Sequence, residues 1–352
     1  MCVSHKRDGV GLCDTSKLAS ISDVAKLSGL SVSTVSRVIN NKPHVAEYKR
    51  QKVLEAMEQL SYTPLQAARQ LRGSGSGNIA VAVPTITNSF FAHLVNAIER
   101  TCRQADYRTL ITQTNGEASG EEAAMELLKM QHADGLILCS IENEWERVKS
   151  YAKYGALVVC DEYNDDDSVS MFFGKQYDGF YGATQYLIGR GYKKIAYCTG
   201  THYLNQRPKG SDLDSDRCRG YLDALKANHL TAEPKWYFRE IHTLEDGRGV
   251  LRRILAQYER PDAIIAGSDE VAAGMEMEAL KCGLRVPEDL AILGVDDQPL
   301  ASVLPVPLTT IRQPTEEVGT LAAQEMVAQL TGRSKEPHRR ALYLELIVRG
   351  SA

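Results

Sequence analysis

From Asn78 onward the chain alternates short apolar runs with helix-patterned segments, and this alternation restricts the fold more than any other feature of the sequence. The runs are IAVAV (79–83), TLIT (109–112), GLILC (135–139), ALVVC (156–160), KIAYC (194–198), AIIAG (263–267) and AILGV (291–295). Between the first two, Phe91, Leu94, Val95, Ile98 and Cys102 recur along one helical face. Apolar runs bounded by helices read as strands covered on both faces, which requires parallel sheets with helices on either side. Residues 78–352 are too many for one such sheet, so two doubly wound subdomains of similar kind are expected. Ligands of open parallel sheets bind beyond the C-terminal strand ends, so a cleft between the two sheets is the expected binding site. The loop Thr87-Asn88-Ser89-Phe90, Asp161 after ALVVC and Asp269 after AIIAGS all fall where that rule wants them.

The segment ahead of this α/β core has a different character. Residues 20–41, SISDVAKLSGLSVSTVSRVINN, read as two short helices. Ser22 is the expected N-cap of the first, with Asp23 in its first turn, and Val24, Ala25 and Leu27 supply an apolar face. Gly29 ends it, because glycine accepts the left-handed conformation of a sharp turn. Ser31 caps the second helix, expected from Val32 to Asn40. Val35 and Val38 face inward with Ile39 at the edge, which leaves Ser33, Thr34, Ser36 and Arg37 outside. Small hydroxyls and one arginine suit a helix that enters a major groove about 12 Å wide. Val53, Ala56, Met57 and Leu60 mark a third helix, closing a small all-α helix-turn-helix head.

Charge divides the chain in the same place. Residues 1–75 hold 11 Lys and Arg against 6 Asp and Glu, whereas the remainder holds 30 against 39. A basic end on an acidic body points to a polyanion met by that end alone. Between the two, Tyr62-Thr63-Pro64 breaks the third helix, Leu65–Arg72 offers two helical turns too short to persist alone, and Gly73–Gly77 is a loose linker. The glycines are a poor phosphate loop, since no strand precedes them and no GK[ST] closes them.

Other classes find little support. No apolar stretch of about 18 residues suggests a membrane span, and the first nineteen residues read as a disordered leader without the apolar run of a signal peptide. The eight cysteines form no CxxC pair and read as free thiols of a cytoplasmic protein. No nucleophile elbow, HExxH, Walker motif or strand-linked GxGxxG is present, so no enzyme and no cofactor are expected. The acidic run Glu162, Asp165, Asp166, Asp167 reads as a solvated loop rather than a metal site. Asp296-Asp297 reads as structural.

The wording DVAKLSGLSVSTVSRVINNKPHV, KVLEAMEQLSYTP and AARQLR, continuous over residues 21–72, resembles the head and hinge of the lactose/galactose repressor (LacI/GalR) family. The likeness continues through NSFFAHLVNAIER, DRCRGYLDAL, SDEVAAGMEMEALKCGLRVPEDLAILGVDD and PLTTIRQP, whose core is similar to type I periplasmic sugar-binding proteins. It implies a helix-turn-helix domain at 20–63 and a hinge helix and linker at 64–77. It further implies an effector-binding and dimerisation core at 78–352, with subdomains at about 78–172 plus 312–336 and about 173–311 plus 337–352. By resemblance Val32 and Ser33 read bases, Arg37 reads a base or braces phosphates, Thr34, Ser36 and Asn40 position the backbone, and His44 lies near the groove. Leu71 matches a minor-groove wedge and Ala68 the close-contact position beside it. Asn88 and Phe90 match the first pocket loop, and Asp161, Arg217 and Asp269 the polar effector contacts. His242 falls where relatives often carry a stacking aromatic ring. Glu162 falls where many carry arginine, and GKQYDG replaces a more usual stretch. The implied protein is a transcriptional regulator, a repressor of a carbohydrate-utilisation operon. It would bind pseudo-palindromic operator DNA as a homodimer, controlled by a sugar-like effector, with no membrane partner. A secreted sugar-binding protein would share the core but not the head, and a regulator answering to a protein co-repressor is the remaining alternative.

Overall fold

The computed structural model describes residues 19–39, 42–62, 75–198 and 211–352. The chain divides into two compact units, Met1–Ser76 and Gly77–Ala352.

Among the described residues the first unit holds three helices, α1 (Ile21–Ser28), α2 (Val32–Ile39) and α3 (Glu47–Gln59). The N-cap of α1 is Ser20, not Ser22. The Ser20 hydroxyl accepts from the Asp23 amide at 3.3 Å while the Asp23 carboxylate accepts from the Ser20 amide at 2.9 Å. That reciprocal bond needs a spacing of three, which Ser22 does not have. Gly29 closes α1 at φ 68°, donating back to Ala25 and Lys26. The Thr34 amide donates to Ser31 at 3.3 Å and starts α2. Val24, Ala25, Val35, Val38, Val53, Ala56 and Tyr62 form the core, with Met57, Leu60 and Ile39 packed against it. Each of the valines contributes about 1.5–3 kcal/mol on full burial. Leu27 is outside this core and 48% exposed, because the inward stripe of α1 runs through Val24, Ala25 and Ser28.

The second unit contains two six-stranded sheets. The first comprises β1 (Asn78–Val83), β2 (Arg108–Gln113), β3 (Gly135–Leu138), β4 (Ala156–Cys160), β5 (Ser170–Gly174) and β11 (Arg339–Leu342), in the order β11-β5-β4-β3-β1-β2. The second comprises β6 (Ile195–Cys198), β7 (Tyr237–Phe238), β8 (Ala263–Ile265), β9 (Ala291–Asp296), β10 (Thr309–Arg312) and β12 (Glu345–Ile347), in the order β12-β10-β9-β8-β6-β7. Every pair is parallel except β10 with β12. All seven apolar runs are strands.

Strand periodicity explains the two covered faces. On one side of the first sheet, Ile79, Val81 and Val83 meet α4 (Ser89–Gln104) and α11 (Thr315–Leu330). Ala80 and Ala82 point the other way, toward α5 (Ala118–Lys129) and the short α6 (Trp145–Lys149). In the second sheet Ile264 and Ile292 pack with α9 (Leu244–Leu255) and α10 (Asp269–Lys281). Ala263, Ile265, Ala291 and Leu293 pack with α7 (Gln176–Gly189) and α8 (Leu213–Ala227).

Three single-chain crossings join the sheets: between β5 and α7, between β10 and α11, and between β11 and β12. This corrects the subdomain limits read from the sequence. Phe173 and Gly174 belong to β5, and Arg339–Leu342 pairs in parallel with β5, so 337–342 lies in the first subdomain and the last crossing follows Leu342. Arg339 and Arg340 are exposed on an edge strand, which hides the strand from an apolar search. Among the described residues no helix is long and apolar enough to cross a membrane.

Helices α9 and α10 approach closely through paired glycines. A methyl group on Gly274 would overlap the Leu244 carbonyl, and one on Gly247 would overlap that of Val271. Gly274→Ala is therefore expected to destabilise the protein by about 1–3 kcal/mol through overpacking. Thermal denaturation checks this, and an unchanged midpoint contradicts the close approach.

Candidate functional site

The outer side of α2 carries Val32, 45% exposed, with Ser33 and Arg37 exposed and Thr34 and Ser36 half-buried. Ser31 Oγ lies 2.9 Å from both Ser33 Oγ and Thr34 Oγ1, so these hydroxyls order one another at the start of the helix. His44 is exposed at φ 65°, in the loop between α2 and α3. Asn40, Ala68 and Leu71 lie outside the described residues. A helix whose inner face is valine and whose outer face is hydroxyls and arginine can enter a groove without unpacking its domain.

In the second unit the cleft is built from strand ends of both sheets. Asp161 follows β4 at φ 75°, its amide bonded to Phe172 O at 2.7 Å, and its side chain is only 7% exposed. Glu162, half-buried, follows it. From the other sheet come Asp296 at the end of β9 and Arg217 on α8, the latter 8% exposed with its guanidinium 5.2 Å from the Phe180 ring. The halves also touch directly, since Tyr163 Oη donates to Asp216 Oδ2 at 2.9 Å and the Ser211 amide to Asp165 Oδ2 at 3.1 Å. Part of the acidic run is thus engaged rather than solvated; Lys149 Nζ holds Asp166 at 2.8 Å.

A continuous chain of hydrogen bonds runs away from Arg217. Its Nε donates to Gln176 Oε1 at 2.8 Å, and Gln176 Nε2 donates to Gln313 Oε1 at 2.8 Å. Gln313 Nε2 donates to Asp296 Oδ1 at 2.9 Å, and Gln298 Nε2 to Asp296 Oδ2 at 3.2 Å. The Gln298 amide then donates to Asp269 Oδ2, and Thr310 Oγ1 to Asp269 Oδ1, both at 2.6 Å. Gln176 and Gln313 sit on two of the three crossings.

Of the candidate effector residues, the structure brings Asp161 and Arg217 together and links Asp269 to them only through this chain. Asp269 is fully buried with both oxygens occupied. Asn88 caps α4, accepting from the Phe90 amide at 2.9 Å. Phe90 is a core residue, packed in the first sheet's apolar cluster with its ring 5.1 Å from Phe91 in an edge contact. His242 stands exposed before α9 and faces Glu142, beyond β3, across the cleft closely enough to lower that carboxyl's pKa against the raising effects of burial and Glu121. Gln176, Thr310 and Gln313 lie in the stretches GKQYDG and PLTTIRQP but were not expected as site residues, and Gln298 carried no signal.

Residues 20–65 match bacterial regulatory proteins of the lacI family, and residues 184–352 match the periplasmic binding protein-like domain. The NTD biosynthesis operon regulator NtdR of Bacillus subtilis (strain 168) is 36% identical over 95% of this chain and 100% of its own length. The chain belongs to the lacI family. The ribose operon repressor of Escherichia coli (strain K12) is 32% identical over 95% of the chain and 100% of the relative. Among solved structures, a lac repressor dimer bound to operator and an anti-inducer superposes with a TM-score of 0.78 at 26% identity, covering 95% of this chain and 99% of that one. A LacI-family regulator from Lactobacillus casei with bound glucose gives 0.69 at 33% identity, covering 78% and 99%. As a member of this family the protein is a DNA-binding transcriptional regulator and not an enzyme.

The cleft acids hold their protons unusually tightly. Burial pushes Asp161 up to about 7, against the pull of Arg217, and it pushes Glu162 to about 8, Asp269 to about 8 and Asp296 to about 6. An unfolded chain releases these protons above about pH 4 while the folded one keeps them. Their contribution to stability is therefore complete in acid and is lost as pH rises through the folded values. Asp161→Asn, which tolerates the left-handed backbone, is expected to flatten that decline by up to about 1.4 kcal/mol per pH unit. Parallel slopes for both proteins in denaturation measured across this range refute the assignment.

Proposed function

We propose that this regulator represses carbohydrate-utilisation genes by binding a pseudo-palindromic operator as a homodimer, and that a polyhydroxylated, sugar-like effector in the cleft controls its grip. The observation that carries this reading is the bond chain from Arg217 through two crossings to Asp269. A ligand at Arg217 and Asp161 touches both sheets and the segments about which they must turn. The relatives named for ribose, and solved with bound glucose, support a sugar-like ligand.

In this reading Val32, Ser33 and Arg37 meet base edges while Thr34, Ser36, Asn40 and His44 position the phosphate backbone. Ala68 and Leu71 act in the minor groove. Asp161 and Arg217 contact the effector, His242 and Asn88 border it, Phe90 supports the loop beneath it, and Asp269 positions the 296–298 loop. One small head offers few contacts, and two-fold symmetry doubles them on a symmetric operator.

Two measurements test the proposal. Arg37→Ala is expected to weaken operator binding by about 1–3 kcal/mol per head at matched salt; unchanged affinity removes Arg37 from base reading. A panel of sugars titrated against the operator complex is expected to contain one that changes affinity by about 5–150-fold, and Arg217→Ala to lose that response. If no sugar acts, or Arg217→Ala responds as wild type does, the cleft is not a sugar sensor.

A further inference from the structure

The charge balance of the cleft narrows the effector, provided the reading of the cleft as a polyol site holds. A neutral polyol presents hydroxyls that both donate and accept, and is matched by a balanced set of acceptors and donors. This cleft is not balanced. Asp161 is 7% exposed, and its carboxylate accepts no hydrogen bond among the described residues. Glu162, half-buried beside it, has no such partner either. Both carboxylates feel the same single guanidinium, Arg217, whose Nε is already bound to Gln176. Asp296 adds its charge to Asp161, and Glu142 and Asp212 add theirs to Glu162. Among the described residues the rim beyond Arg217 offers His242, which faces Glu142.

A carboxyl without a partner, buried or half-buried, resists ionisation unless a counter-charge arrives. A metal ion is a poor candidate for that charge, because among the described residues no group of three or more His, Cys, Asp or Glu is arranged to hold one. An organic cation remains. An ammonium has three donors and no acceptor, and so complements two carboxylates that have nothing to accept.

We propose that the effector is an amine-bearing polyol, an amino sugar in its protonated form, whose ammonium sits between the Asp161 and Glu162 carboxylates while its hydroxyls reach Arg217 and Asp296. Glu162 is the residue that sets this preference. It lies at a position where the resemblance to the family leads one to expect arginine, so the sign of the local charge is reversed in this chain. Ligand binding also has a proton signature. Burial raises Asp161 to about 7 and Glu162 to about 8, so in the empty cleft both carboxyls carry a proton over part of the neutral range. A cation ionises them despite Asp296, Glu142 and Asp212 facing the same space, with Arg217 assisting, so complex formation releases protons.

The test is titration calorimetry of the full-length protein with aminodeoxyhexoses and with their neutral parent hexoses, each in two buffers of different ionisation enthalpy. At least one amine is expected to bind about tenfold or more tightly than its neutral parent, a difference of about 1.4 kcal/mol, with net proton release. Glu162→Gln is expected to erase the preference. Glu162→Arg is expected to reverse it, the neutral parent or the corresponding uronic acid then binding above the amine, a gain that misfolding cannot produce. Neutral hexoses that bind as tightly as the amines, or an amine preference that survives both variants, overturn the charge inference and leave the polyol reading intact. If no sugar binds, charged or neutral, the polyol reading fails and this inference with it.

Discussion

The hydrogen bond between the side-chain amides of Gln176 and Gln313, 2.8 Å long and buried, ties together two of the three segments that join the sheets of the core. Each glutamine has one more bond, Gln176 to Arg217 and Gln313 to Asp296, so the pair reports on both walls of the cleft at once. A buried amide that loses a partner costs about 1–3 kcal/mol. Any rotation at the crossings must therefore keep this pair or replace it. That requirement converts a soft three-stranded connection into one with few acceptable arrangements, and a small set of discrete arrangements is what a ligand can choose among.

Ligand choice between arrangements follows from differential affinity alone. Asp161 belongs to the first sheet and Arg217 to the second, so their separation changes with the angle between sheets, whereas contacts within one sheet do not. Tyr163–Asp216 and Asp165–Ser211 are direct bonds between the halves and favour the arrangement in which they form. The cleft carboxyls oppose it, because closure deepens the desolvation that holds their protons on. The balance between those bonds and that desolvation sets how readily the empty core adopts the closed arrangement.

Much of this was legible in the sequence, for identifiable reasons. The seven apolar runs all became strands because a strand covered on both faces leaves an unbroken apolar record. Of the strands without such a reading, YF, TTIR, RRAL and ELI are short, polar or at edges, whereas SMFFG is a buried interior strand whose apolar record was passed over. Exposed edge residues are chosen by solvent, not by the core, and carry no such record. The helix-turn-helix was visible because valine spacing, Gly29 and the two serine caps are local signals, and the misplaced cap shows their limit. Ser20 and Ser22 are alike in composition, and only the three-residue reach to Asp23 separates them. Asp161 and Arg217 were expected by resemblance, and the structure places Arg217 near enough to Asp161 to oppose the effect of burial on its carboxyl. Gln176 and Gln313 lie in the stretches GKQYDG and PLTTIRQP, the one a departure from the family and the other a likeness to it, neither of which assigns these side chains a role, and Gln298 had no signature at all. Their role exists only where distant crossings meet, a tertiary fact that periodicity and spacing do not encode.

Asp269 shows how such a network alters the meaning of a residue. Expected as a ligand contact, it accepts instead from Thr310 and from the Gln298 amide, and Gly294 lies so near that any side chain there would strike its Oδ1. An acid this enclosed has no free oxygen to offer a hydroxyl. It can take one only by releasing Thr310 or Gln298, an exchange of one hydrogen bond for another that is nearly neutral in free energy. Release of Gln298 frees its loop and, through Asp296, loosens Gln313 at the crossing. Release of Thr310 loosens β10, which leads into the same crossing. Either exchange reaches the segment on which the sheets turn. On the proposed reading the residue therefore acts on the response through the same glutamine pair that holds the crossings together.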